Sequence, residues 1–180
     1  MIAFHNDPEI KKKYIERVRA HREADQLIRR VGWSQQENKG CAVGCTLNAY
    51  DHAAYETELG IPEWLARLED TLFEGVSLEY SRAWPENFLK AIKPGSDLEK
   101  VKAPFLIFVL ESVLTKFDHV KFPECKKAIV NVIDLYLSGE TELEKFRAAA
   151  AEAARAAAWA AAYEIFAEKL LELMAACDAS

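Results

Sequence analysis

Apolar residues recur every three or four positions along most of the chain, which is the spacing of one face of an α-helix. In the first such segment, Asp7 can cap the helix, Pro8 fits its first position, and an apolar stripe runs from Ile10 to Val31 before Gly32. Later segments are also bounded by proline or glycine, and no stretch shows the alternation and β-branched enrichment of a strand. The pattern predicts an all-α bundle of about seven helices that forms one domain over residues 1–180.

The last predicted helix spans residues 141–176, because no glycine or proline interrupts it. Alanine fills 12 of the 15 positions from 148 to 162. A helix of this length measures about 54 Å, more than a compact domain of this size covers. Its far end carries the apolar residues Phe166, Leu170 and Met174. We expect these three side chains to form an exposed ridge that binds a partner, either a second copy in a homodimer or another protein.

Composition and charge exclude several classes of protein. The net charge of −6 and the pI near 5.3 argue against binding to nucleic acid, which requires a basic surface. The most apolar run, Phe105 to Leu110, is far shorter than the roughly 20 residues that span a bilayer. The first residues lack the basic and apolar regions of a signal peptide, and four cysteines are too few for a disulfide scaffold. We therefore expect a cytoplasmic protein with reduced thiols.

Residues 32–51 lose the helical periodicity and are predicted to form an ordered loop, because they include many apolar side chains. The segment GCAVGCT lies in this loop. In the simplest interpretation, Gly40 and Gly44 let the chain pass close over the core, and Cys41 and Cys45 are small buried apolar residues.

Two chemical interpretations of the same segment remain open. In the first, Cys41 and Cys45 have a spacing found among zinc ligands, and His52 with His119 or Cys125 would complete a site for zinc or another transition metal. In the second, a cysteine acts as a nucleophile that a neighbouring histidine and aspartate activate.

The nucleophile interpretation uses Cys45, His52 and Asp51. It has a geometric difficulty, since adjacent residues on a helix point about 100° apart and Asp51 is poorly placed to orient His52. No residue is assigned a catalytic role on this basis.

An acidic group lies on the middle helices: Glu56, Glu58, Glu69, Asp70 and Glu74. No Glu-x-x-His pattern accompanies these carboxylates, so they are interpreted as a solvated face rather than a metal site.

Two resemblances bear on function. A group of bacterial and phage or mobile-element helical proteins resembles this chain over IAFHNDPEIKKKYIERVRAH, over KGCAVGCTLNAYDHAAYETELGIPEWLARLEDTLFEGV and over WPENFLKAIKPGSDL. This resemblance implies no activity. The final third, KAIVNVIDLYLSGE followed by RAAAAEAARAAAWAAAY, is similar to the C-terminal half of α-helical immunity proteins of bacterial toxin systems. That similarity implies a toxin or a host defence factor as the binding partner.

These observations lead to two hypotheses about function. The first is a helical protein-binding module of immunity or anti-defence type, which acts on another protein without catalysis. The alternative is a metalloprotein or a thiol-dependent enzyme that uses Cys41, Cys45 and His52.

Overall fold

The computed structural model of the protein describes residues 1–116, 123–142, 144–146 and 163–177. Two short strands, β1 (Trp33–Ser34) and β2 (Lys39–Gly40), follow the first helix, and a helical turn at Ala3–Asn6 precedes it. The helices of the described part are α1 (Pro8–Glu23), α2 (Ala42–Leu47), α3 (Ala54–Leu59), α4 (Glu63–Gly75), α5 (Leu78–Ala91), α6 (Glu99–Lys116), α7 (Pro123–Leu137) and α8 (Tyr163–Ala176). The predicted all-α fold is confirmed. Among these helices, none combines the length and the apolar character needed to cross a bilayer.

The first helix begins as predicted and ends earlier than predicted. The carboxylate of Asp7 accepts a hydrogen bond from the backbone N–H of Glu9 (2.8 Å), and Pro8 occupies the first helical position. The helix stops at Glu23 rather than near Gly32, because Asp25 adopts a left-handed conformation (φ 54°) that turns the chain away.

The region predicted as an ordered loop contains regular structure. Strand β1 pairs with β2 in antiparallel register, with Trp33 opposite Gly40, and the helix α2 follows immediately. The prediction that no strand would form is therefore wrong here. Each strand has only two residues, which is too short for any alternation to appear in the sequence.

The ridge expected on the last helix is not exposed. Phe166, Leu170 and Met174 are 3%, 0% and 0% exposed, because α8 packs against α4, α5 and α6 of the same chain. The prediction that these side chains form an exposed ridge is wrong, since the apolar stripe packs against the chain's own core. Formation of a homodimer stays a prediction. Residues 147–162 lie outside the described residues, so the continuity of the 141–176 helix stays a prediction.

One face of α4 packs in the core, and another face lies near the surface. Leu65, Leu72 and Phe73 on α4 are fully or almost fully buried, together with Trp84 and Phe88 of α5. The helix α4 also contacts α2, so that the side of α4 facing α2 borders the cysteine-containing segment. The candidate site lies at this border.

Candidate binding site

Three glycines place α2 directly against the preceding strands. A Cβ atom added to Gly40 or Gly44 would overlap the carbonyl oxygen of Gly32, and one added to Gly32 would lie 2.6 Å from the ring of Tyr50. The carbonyl of Gly32 also accepts a hydrogen bond from the backbone N–H of Cys41 (3.1 Å). Only glycine permits such a close approach of two backbones. This packing agrees with the structural interpretation of the GCAVGC segment.

Both thiols of the segment are buried, and this burial favours their protonated form. The Cys41 sulfur accepts a hydrogen bond from the backbone N–H of Gly44 (3.5 Å), and the Cys45 thiol donates to the carbonyl of Gly40 (3.4 Å). Burial raises the pKa of Cys41 well above its ordinary value, and the neighbouring Asp70 carboxylate raises it further. Burial also raises the pKa of Cys45 to about 12. Because the thiolate is the nucleophile and the metal ligand, these pKa values favour a structural role.

Asp70 of α4 links this segment to the turn that follows it. Its Oδ2 accepts a hydrogen bond from the hydroxyl of Tyr50 (3.2 Å), and Nε2 of His52 lies 3.3 Å from the same oxygen. The residue is only 9% exposed, and a hydrogen bond between its carboxylate and the Cys41 thiol is one cause of the raised Cys41 pKa. The side chains of Tyr50, His52 and Cys41 thus surround a buried carboxylate, which needs polar partners when it is removed from water.

The predicted metal ligands do not converge. His52 is directed to Asp70, whereas the thiol of Cys45 is directed to backbone carbonyls. Among the residues that the structure describes, no three His, Cys, Asp or Glu side chains form a group that could hold a metal ion. His119 and the side chain of Cys125 lie outside the described residues. Within the described part of the chain, Cys41, Cys45 and His52 therefore do not form a group that could hold zinc or another transition metal, and the full predicted site stays a prediction.

The arrangement also differs from that of a thiol nucleophile with its base. A catalytic cysteine needs the histidine between itself and the carboxylate. Here Cys41 and His52 both contact the carboxylate of Asp70, and the His52 imidazole is directed to that carboxylate. Asp51 instead caps α3, where its Oδ1 accepts the backbone N–H of Ala53 (3.0 Å). The geometry thus gives no support to thiol catalysis.

An open pocket of about 730 Å³ lies in front of Asp70, and we call it the Asp70 pocket. Its wall includes Arg30, Gly32, Cys41, Tyr50, Asp70 and Glu74. The volume falls within the range of roughly 300–1,000 Å³ that is usual for ligand sites. Tyr50 is 55% exposed although its hydroxyl is bonded to Asp70, so a fixed aromatic ring lies at the edge of the pocket.

A second buried carboxyl group, Glu69, lies next to the pocket on α4. It is 0% exposed, its Oε2 accepts a hydrogen bond from the hydroxyl of Tyr55 (2.6 Å), and its Oε1 has no partner among the described residues. Burial raises the pKa of Glu69 to about 8; the hydrogen bond from Tyr55 opposes this shift and the charge of Asp70 adds to it. The interpretation of Glu69 and Asp70 as part of a solvated face is wrong. The helical spacing from Leu65 to Leu72 includes position 69 and was the signal that could have shown this.

Comparison with known proteins finds no match among protein-family models, curated proteins or solved structures.

Proposed function

We propose that this protein acts by binding another protein, and that the Asp70 pocket receives a side chain of that partner. The observation that carries the proposal is Tyr50, whose ring is 55% exposed while its hydroxyl is held by Asp70. Tyrosine is enriched among the residues that contribute most to protein interfaces, and a ring that is already fixed loses little conformational entropy on binding.

The chemistry of the pocket wall supports binding over catalysis. Among the described residues of the wall, Cys41 is the only thiol; burial raises its pKa, and no described histidine is placed to deprotonate it. The similarity of the C-terminal third to immunity proteins supports a toxin or a host defence factor as the partner. A protein of this kind would act by covering or holding its partner, without a chemical step.

Site-specific photocrosslinking tests the proposal in cells that naturally produce the protein. Tyr50 is replaced by a photoreactive phenylalanine derivative, and the matched control places the same group at Leu137, which is 69% exposed on α7 and does not line the pocket. We expect one discrete protein adduct at position 50 and none at position 137. Absence of an adduct at position 50, or equal adducts at both positions, would contradict the proposal.

A further inference from the structure

An open groove between α1 and α5, which we call the α1–α5 groove, carries an excess of positive charge. It has a volume of about 290 Å³ and is lined by Lys11, Lys12 and Arg19 of α1 and by Lys90 of α5. Among the described residues of its wall, Glu16 is the only carboxylate. The protein has a net charge of −6, so this surface is opposite in sign to the molecule as a whole.

A single buried carboxylate holds the cations at one end of the groove. The side chain of Glu86 is 2% exposed. Three cations lie within ion-pair distance of it: Arg19 (3.0 Å), Arg22 (2.6 Å) and Lys90 (2.7 Å). One negative charge therefore offsets three positive charges, although the three cationic side chains are 42%, 36% and 50% exposed. Because the ion pairs already hold these side chains, they lose little conformational freedom when a further anion binds.

Lys11 lies farther along the groove and has no carboxylate beside it. Its Nζ donates hydrogen bonds to the carbonyls of Lys90 (2.8 Å) and Ile92 (2.6 Å), which leaves one of the three ammonium donors for another acceptor. In the part of the chain that the structure describes, no carboxylate oxygen lies within 4.0 Å of this nitrogen. Burial lowers the pKa of Lys11, as expected for a half-buried cation without a counterion. An anion in the groove would supply the missing negative charge.

The dimensions of the groove and the charge around it favour an acidic peptide over a longer polyanion. Its α1 wall runs from Pro8 to Arg19, which is about 17 Å and matches about five residues of extended chain. A nucleic acid or an anionic membrane extends beyond such a groove and would face a protein of net negative charge. Pro8 and Ile15 add apolar surface to the wall, which suits the methylene groups of a peptide side chain.

We propose that the α1–α5 groove binds an acidic segment of another protein, whose aspartate or glutamate carboxylates lie against the cations of the groove. Hydrogen bonds from ammonium and guanidinium groups to carboxylates are roughly twice as strong as neutral ones. The proposal goes beyond the proposed function, because the groove shares no lining residue with the Asp70 pocket. An absent adduct at position 50 would therefore leave the groove assigned, and failure of the groove would leave the Asp70 pocket assigned.

Titration of the full chain with three probes, followed by the amide chemical shifts, tests the proposal. The probes are N-acetyl-tetraglutamate amide, the uncharged tetraglutamine amide of the same length, and a thymidine pentanucleotide with the same number of negative charges as tetraglutamate. We expect saturable shifts with tetraglutamate at Lys12, Ile15 and Lys90, and weaker binding of the other two probes. Absence of saturable shifts with tetraglutamate, or equal shifts with tetraglutamine, would overturn the proposal. Tighter binding of the pentanucleotide would also overturn it, in favour of a nucleic acid.

Paired variants locate the binding of tetraglutamate. The side chain of Lys12 is 61% exposed and lies 3.8 Å from the exposed carboxylate of Glu9, so Lys12→Gln is expected to leave the fold intact. It should weaken the binding of tetraglutamate about threefold, as expected for an exposed ion pair. Lys127→Gln removes the same charge at an exposed position of α7 that does not line the groove, and it should leave binding unchanged. Equal weakening by both variants, or no weakening by Lys12→Gln, would refute the proposal.

Discussion

Glu69 makes the stability of this protein fall as the pH rises. Its pKa is about 8 in the folded state and 4.5 in its ordinary environment, chiefly because burial disfavours the charged form. Between these two values the folded state keeps the proton and the unfolded state has lost it. The unfolding free energy therefore decreases with pH, by up to about 1.4 kcal/mol per unit, and the total is on the order of a few kcal/mol.

Replacing Glu69 by glutamine isolates this effect. The amide oxygen can still accept the hydrogen bond from Tyr55, but the side chain no longer ionises. At about pH 5, near the lower of the two pKa values, we expect Glu69→Gln to have nearly the same free energy of unfolding as the parent. At about pH 8, near the higher pKa value, the variant should be more stable by roughly 1–4 kcal/mol, because unfolding of the parent is then favoured by release of the proton that folded Glu69 retains.

Urea unfolding followed by circular dichroism at several pH values measures the difference. Comparing the two proteins cancels the titration of groups that they share. Glu111→Gln, which removes an exposed carboxylate in the middle of α6, serves as the control and should follow the parent at every pH. Parallel stability curves for the parent and Glu69→Gln would refute the reasoning, since they would mean that this carboxyl group titrates alike in both states.

The remaining predictions concern the packing of the cysteine segment and of α8. Gly44→Ala should lower the free energy of unfolding, measured in urea, by about 3 kcal/mol. Gly139 has open space around it, so Gly139→Ala should lower it by only about 1 kcal/mol. Equal losses of stability would argue against the close backbone approach at Gly44. Leu170→Ala should lower the free energy of unfolding by about 2–5 kcal/mol without changing the molar mass measured by light scattering. A changed mass with little loss of stability would support the exposed ridge instead. Variants that keep only Cys41 or only Cys45 should react with thiol reagents at a rate limited by opening of the fold, and rapid native labelling would contradict their burial.

Local signals in the sequence were sufficient to predict the all-α class, the start of α1 and the role of the glycines. Asp7 and Pro8 start α1 as predicted, because a cap and a proline act within a few residues of each other. The close approach at Gly40 and Gly44 was also predictable, since only the absence of a side chain explains two glycines at that spacing. These features depend on the chain near them and not on distant elements.

The candidate site depends on contacts between distant segments, so the sequence alone did not define it. Asp70 meets Tyr50 and His52 only because α4 packs beside α2, and nothing local distinguishes it from a solvated carboxylate. The burial of α8 was also not defined by the sequence, because an apolar stripe can pack against a partner protein or against other helices of the same chain. Leu170 is buried because α4, α5 and α6 leave space for that helix.

The most direct test of the account is photocrosslinking at position 50. With the photoreactive group in place of Tyr50, we expect one discrete protein adduct, and the same group at Leu137, which is exposed and does not line the pocket, should give none. Absence of an adduct at position 50, or equal adducts at both positions, would contradict the assignment of this pocket as a site for a side chain of a partner protein.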